Sequence, residues 1–368
     1  MVNFQPTEEQ QLIRASIASF AQERIRPAAH EADETGFIPP PLIQQAWELG
    51  IVQNTIPEAL GGAGDMPSAL TGALICEELA WADLAIALHL LAPRLVIEPV
   101  LALGNSAQQQ QVLPAYTGAT FTAGTAAVME PRFGFDINEL ATITTRRNGD
   151  VILNGTKCYT PLAAEAQHLL VYARDEGKVA AFLIPRDTPG LVIGEREKNM
   201  GLKALATYEL ILNDCRLPAS AQLHGSLSPL LNRSRVALSA LAVGVARAAF
   251  EYARDYAKER RAFGSAIAQK QAVAFMLAEM AIEIDATRLL TWEAAWKIDS
   301  GQDTPHEPVS AATREACLAK NYAANMVLKV TDNAVQILGG HGYIRDHPVE
   351  LWLRNGRGFA TFDGLAMV

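Results

Sequence analysis

The stretch Ala141-Thr142-Ile143-Thr144-Thr145-Arg146, joined through Arg147 and the pair Asn148-Gly149 to Val151-Ile152-Leu153, decides how the rest of the chain is read. Its β-branched and apolar residues favour extended backbone, and Asn-Gly tolerates the positive φ that a short hairpin turn demands. Outward from this hairpin, residues 121–223 keep one texture: short runs rich in Val, Ile, Leu and Thr, broken by Asn-Gly, Pro-Gly and Asn-Asp. Further strands are expected at His168 to Ala173, Ala180 to Ile184 and Tyr208 to Leu212.

Both flanks switch to a helical period. Upstream, Thr7-Glu8-Glu9-Gln10 offers an N-cap with a Gln three positions on, followed by the stripe Leu12, Ile17 and Phe20. Helical character continues to about Pro114, with turn formers from Pro57 to Gly64 as one long loop. Downstream of Pro229, Leu238, Leu241, Val245, Ala249, Tyr252 and Tyr256 recur at helical spacing. The opposite face carries Arg247, Glu251, Arg254 and Lys258, with Arg247 and Glu251 placed to pair across one turn. Gln271 to Asp299 and Val309 to Ile337 supply two more long helices. The order helical, β, helical implies an α+β fold. Its expected parts are an N-terminal helical domain over 1–118, a central β-barrel-like or sandwich domain over 119–223 and a C-terminal four-helix bundle over 224–368.

Bulk properties narrow the function classes. A chain of 368 residues exceeds what one hydrophobic core supports, and 49% hydrophobic against 19% charged residues is ordinary for a globular protein. The net charge of -9 argues against affinity built on neutralising nucleic-acid phosphates. Cysteines 76, 158, 215 and 317 have neither metal-like spacing nor the density of a disulfide framework, so reduced thiols and no metal site are expected. Met1 to Glu9 lacks a basic segment followed by an apolar one, which predicts no export signal and a cytoplasmic location. The most apolar run, Val236 to Ala246, stops at Arg247, well short of the about 20 residues a membrane span needs. It reads as a buried helix, with no membrane partner.

Four segments carry a resemblance to the acyl-CoA dehydrogenases. They are Val128-Met129-Glu130-Pro131, Asn199-Met200-Gly201-Leu202, Glu259-Arg260-Arg261-Ala262-Phe263-Gly264, and Gln336-Ile337-Leu338-Gly339-Gly340-His341-Gly342-Tyr343 running into Pro348-Val349-Glu350. Each alone is weak; in the family's order and spacing, across essentially the whole chain, they are specific. The resemblance implies FAD held beside an acyl-CoA thioester, an electron-transfer flavoprotein as electron acceptor, and a homotetramer or a heterotetramer with a second chain of the same kind. In the family the Glu-Arg-x-x-Phe-Gly turn and a following Gln hold the adenosine and pyrophosphate of FAD, partly across a subunit boundary. The corresponding residues are Arg260, Phe263 and Gln271, with Gln336, Gly339 and Gly340 as the matching glycine-rich segment. A guanidinium fork suits phosphate, and the glycines let backbone approach the cofactor closely. The bland reading of Arg260 is a solvated basic patch with Lys258 and Arg261. Arg235 matches the family arginine near the CoA side of the substrate channel, with Asn232 three residues before it. Val128, Met129, Tyr159 and Thr160 fall where the family meets the flavin ring.

The departures bear on catalysis. Dehydrogenation in this family removes the α-proton of the thioester with a carboxylate base while the β-hydrogen leaves as hydride to flavin N5. The usual base is a Glu in Tyr-Glu-Gly-Thr, and here the segment reads Phe362-Asp363-Gly364-Leu365. Asp363 is therefore the candidate base, with its carboxylate about 1.5 Å closer to the backbone. Misplacement by about 1 Å costs roughly a hundredfold in rate. A second base position used in the family is occupied by Ser234, which is no unassisted base. Met129 and Pro161 stand where the family has flavin-facing threonines; Pro161 has no N–H to donate, so a donor to the flavin is missing unless Thr160 takes its place. Tyr159 replaces the common Trp, and Phe135 a Ser. With Val368 shortly after Asp363, fewer intersubunit FAD contacts are expected than in longer relatives. Three readings stay open: a dehydrogenase using Asp363, a non-catalytic or half-site subunit of a heteromeric enzyme, and oxidase or monooxygenase chemistry on the same scaffold. Acyl chain length is not legible, although Ile86, Leu90 and Leu91 are candidates to line the pocket.

Overall fold

A computed structural model describes residues 4–64, 67–301 and 311–368. The chain begins with α1 (Glu8–Phe20), α2 (Arg26–Thr35), α3 (Pro40–Glu48), α4 (Ala69–Ala82), α5 (Leu84–Leu91), α6 (Arg94–Leu103) and α7 (Ser106–Val112). Thr7 caps α1 as its sequence requires: its hydroxyl accepts from the Gln10 N–H and its own N–H donates to the Gln10 side chain. Asn105 and Gln108 close α7 in the same way.

Eight strands follow: β1 (Gly124–Ala127), β2 (Ile143–Arg147), β3 (Asp150–Pro161), β4 (His168–Asp175), β5 (Lys178–Ile184), β6 (Leu191–Arg196), β7 (Thr207–Pro218) and β8 (Gln222–Leu223). They form one sheet of order β6-β7-β3-β2-β4-β5-β8, with β1 paired parallel to β4. Asn148 and Gly149 take φ of 53° and 86° and close the β2–β3 hairpin with Arg147 opposite Asp150. Along β4 the side chains alternate. Leu170 and Tyr172 enter a core shared with Val96 and Leu113 of the N-terminal helices, while Leu169 and Val171 join Leu153, Phe182 and Leu210 on the other face.

The chain then returns to helix: α8 (Ser228–Glu259), α9 (Gln271–Asp299), α10 (Ala311–Leu338), α11 (Gly340–Tyr343) and α12 (Val349–Arg357). The expected start of the third long helix at Val309 lies outside the described residues. Two helical stretches, Leu84–Leu103 and Ser228–Glu259, are long and apolar enough to cross a membrane, but their apolar windows are 94% and 78% buried inside the protein.

The two helical units share one core. Ile86, Leu79, Leu241, Met280 and Val330 belong to a single apolar cluster, because α4 lies directly on α8. A Cβ at Gly244 would stand 2.3 Å from the Glu77 carbonyl oxygen, so only glycine permits this approach. One turn later Arg247 meets Glu77 at 2.9 Å and also binds Glu78, while keeping the expected pairing with Glu251 at 3.8 Å. Two shorter contacts join the helix-surface pairing because α4 buries that face and brings two carboxylates needing cations. Arg288 of α9 and Arg14 of α1 complete the network at 3.0 and 2.7 Å.

Candidate active site

Three segments distant in sequence converge at the edge of the sheet. The β3–β7 ladder shifts register between Lys157 and Thr160, and within the shift Tyr159 adopts φ of 51°, a left-handed conformation that costs a non-glycine residue energy. Its N–H donates to Glu197 Oε1 at 3.2 Å, which helps hold the turn. Beside it, the Cys158 N–H donates to the Met129 carbonyl at 2.9 Å and ties the segment Val128 to Pro131 to β3. Gly364, with φ of 64°, lets the turn after Asp363 close on Val128: a Cβ there would sit 2.6 Å from Val128 Cγ2. The result is a cleft of about 850 Å3 lined among others by Met129, Phe135, Tyr159, Glu197 and Asp363.

Below the cleft lies a buried ion pair. Lys157 Nζ is 3.0 Å from Glu130 Oε1 and donates to the Val128 carbonyl, also at 3.0 Å. Glu130 further accepts the N–H groups of Ala141 and Thr142 at 2.7 and 2.8 Å. Burial pushes the Glu130 carboxyl up, but Lys157 and these N–H groups prevail and hold it below its ordinary value. Burial pulls Lys157 down to about 8 against the attraction of Glu130. Both are charged at neutral pH.

The other expected site residues divide into three groups. Thr160 is buried beside the cleft, its hydroxyl without a partner among the described residues. Asn232 and Arg235 are bonded to each other at 3.1 Å, and Asn232 is buried against Thr313. Neither lines the Asp363 cleft. Arg260, Phe263, Gln271, Gln336, Gly339 and Gly340 are all exposed and also lie outside that cleft. They approach one another: Tyr256, one turn before Arg260, binds His341 beside Gly340 at 2.8 Å. These six residues thus lie on exposed surface separate from the cleft that holds Asp363. Ile86, Leu90 and Leu91 are buried in the helical core, and Ser234 is buried with its hydroxyl unpartnered among the described residues.

Sequence reasoning passed over Glu197 and Lys157. Glu197 follows no hydrophobic period, and its significance comes from a long-range contact to a strained residue. Lys157 lies beyond the strand expected at Val151 to Leu153, in the longer β3, and only the nearby Glu130 explains its burial.

The comparisons with known proteins match this arrangement along its length. The models of the acyl-CoA dehydrogenase N-terminal, middle and C-terminal domains match residues 7–119, 125–215 and 226–366. The chain belongs to the acyl-CoA dehydrogenase family. It is 33% identical to a probable acyl-CoA dehydrogenase of Bacillus subtilis, over 97% of this chain and 94% of that protein. It is 31% identical to the mitochondrial short-chain specific acyl-CoA dehydrogenase of Rattus norvegicus, over 98% and 88%. Among solved structures, butyryl-CoA dehydrogenase from Megasphaera elsdenii superposes with a TM-score of 0.86 at 30% identity, covering 98% of this chain and 95% of that one. A glutaryl-CoA dehydrogenase from Mycobacterium smegmatis in complex with FADH2 gives 0.85 at 26% identity, covering 97% and 91%.

FAD is the family's cofactor. The residues present fit it: the cleft offers an aromatic wall at Tyr159, and the next residue, Thr160, carries a buried hydroxyl with no partner among the described residues.

Proposed function

We propose that this chain is an FAD-dependent acyl-CoA dehydrogenase in which Asp363 takes the α-proton of the acyl thioester. The observation that carries this reading is the convergence of Met129, Tyr159 and Asp363 on one cleft. Bound there, FAD supplies the acceptor for the β-hydrogen, which leaves as hydride to N5. Tyr159 covers the ring, fixed by its hydrogen bond to Glu197. Thr160 provides the polar contact that Pro161 lacks on its nitrogen, and Val128 backs the turn that aims Asp363. Arg235 and Asn232 orient the CoA side of the substrate. Electrons pass on to an electron-transfer flavoprotein.

The same reading assigns Arg260, Phe263, Gln271, Gln336, Gly339 and Gly340 to the adenosine and pyrophosphate of FAD in a neighbouring chain. Their exposure away from Asp363 supports this, and a homotetramer meets the need. A heteromeric assembly, in which this chain is a half-site subunit, rests on the same exposure together with Met129 and Pro161 at the flavin.

Purification of the chain alone, followed by its visible spectrum and anaerobic titration with butyryl-CoA, tests the proposal. Flavin bands at near-stoichiometric amount that bleach on titration are expected. A folded, colourless protein that stays colourless with added FAD overturns it in favour of the half-site subunit.

A further inference from the structure

A second cleft, of about 610 Å3, opens in the N-terminal helices between α1, the turn around Ile51 and the first turns of α4. It shares no lining residue with the cleft of Asp363. Arg94, the first residue of α6, forms part of its floor with only 2% of the side chain exposed. Every guanidinium nitrogen carries hydrogens that must be satisfied when water is excluded. Arg94 Nη2 donates to Glu98 Oε1 at 3.2 Å, one helical turn on. Nε and Nη1 find no partner among the described residues. The half-buried Arg247 also leaves its Nε unpartnered, but its two terminal nitrogens are held by Glu77 and Glu78, whereas Arg94 has a single carboxylate at one nitrogen.

We infer that this cleft is a carboxylate-binding site, anchored by Arg94, for a small organic acid with an apolar body. A carboxylate offers acceptors to the idle N–H groups and forms charge-assisted hydrogen bonds with them. Glu98 against the same guanidinium selects a single negative charge over a phosphate dianion, which it would repel. The walls select the rest of the ligand. Ile13, Ile17, Leu49, Ile51 and Ile75 line the cleft with apolar surface, beside polar residues such as Gln10, Asn54 and Thr71, and suit a short hydrocarbon chain.

The test is calorimetric titration of the purified chain, FAD added, with hexanoate and with the neutral hexan-1-ol. Two variants accompany it. Arg94→Met removes the donors at similar length; Ser16→Trp, at an exposed position in the cleft wall, obstructs access while leaving the Arg94–Glu98 pair untouched. Saturable hexanoate binding is expected, absent for hexan-1-ol and weakened by about tenfold or more in each variant, the loss a charged hydrogen bond predicts. Failure of Arg94→Met to fold leaves the decision with Ser16→Trp. The inference is overturned if hexanoate does not bind, if Ser16→Trp binds it as the unaltered chain does, or if butyryl-CoA displaces it while Ser16→Trp does not weaken it, which places the acid in the Asp363 cleft.

Discussion

Lys157 and Glu130 meet at 3.0 Å with 0% and 2% of their side chains exposed, so one ion pair fixes β3 to the segment that lines the Asp363 cleft. Burying two charges is unfavourable unless each finds partners, and here the backbone supplies the remainder through Val128, Ala141 and Thr142. Removing one partner strands the other. Lys157→Met is expected to cost about 3 kcal/mol in urea unfolding, at the low end for a broken buried pair because Glu130 keeps its two N–H donors. The same variant should retain less flavin after gel filtration, since Val128 and Met129 lose their tether. Unchanged stability would show that the pair is dispensable.

Asp363 tests the chemistry itself. Asp363→Asn keeps size and hydrogen-bonding shape but removes the base, so turnover of butyryl-CoA is expected to fall by about 1,000-fold or more, with flavin still bound. Asp363→Glu extends the carboxylate by about 1.5 Å. If the native base stands short of its proton, the longer side chain should raise kcat by about tenfold or more. A drop in both variants would mean that the surrounding turn, closed by Gly364 on Val128, has been re-registered around the shorter acid.

The hairpin at Asn148-Gly149 and the strands around it were legible because turn chemistry and β-branched runs are local properties. The order of helical, β and helical segments followed from period alone, and the family motifs pointed to Met129, Tyr159 and Asp363, which the structure places in one cleft. What local reading missed was the contact between units. Arg247 pairs with Glu251 as its spacing suggests, but only the fold brings Glu77 and Glu78 of α4 to it across 170 and 169 residues of sequence. Arg94 gave no signal at all, since an arginine at a helix start is ordinary until its surroundings are known to be dry.

His89 is the group whose titration should register in stability. It is buried against Phe121, with ring centroids 5.3 Å apart, and its Nε2 has no partner among the described residues. Burial lowers its pKa from the ordinary 6.5 to about 4. A depressed folded-state pKa means that the unfolded chain takes up the proton first, so this contribution is complete above pH 6.5 and is lost as pH falls towards 4. Between pH 7 and 4.5 the loss is about 2 to 3 kcal/mol. Asp83, pushed up to about 6 by burial, works in the opposite direction over part of this range, so the comparison must be with His89→Phe. The variant should lose less stability than the unaltered chain over the same interval, as read by urea unfolding at the two pH values; equal losses would refute the assignment.

On α9, Phe275, Ile282 and Leu289 recur every seven residues, and all three are exposed, as are Arg260, Phe263 and Gln271. An apolar stripe left in water marks a surface that another chain covers. If that chain is a second copy, Arg260 of one protomer completes the site containing Asp363 of the other. Asp363→Asn and Arg260→Met chains should each be inactive alone. Unfolded together and refolded at equal amounts, they should recover about a quarter of native activity, because half of the pairs are mixed and each mixed pair holds one intact site. If Arg260 instead serves the Asp363 of its own chain, every site in the mixture carries a defect and no activity returns.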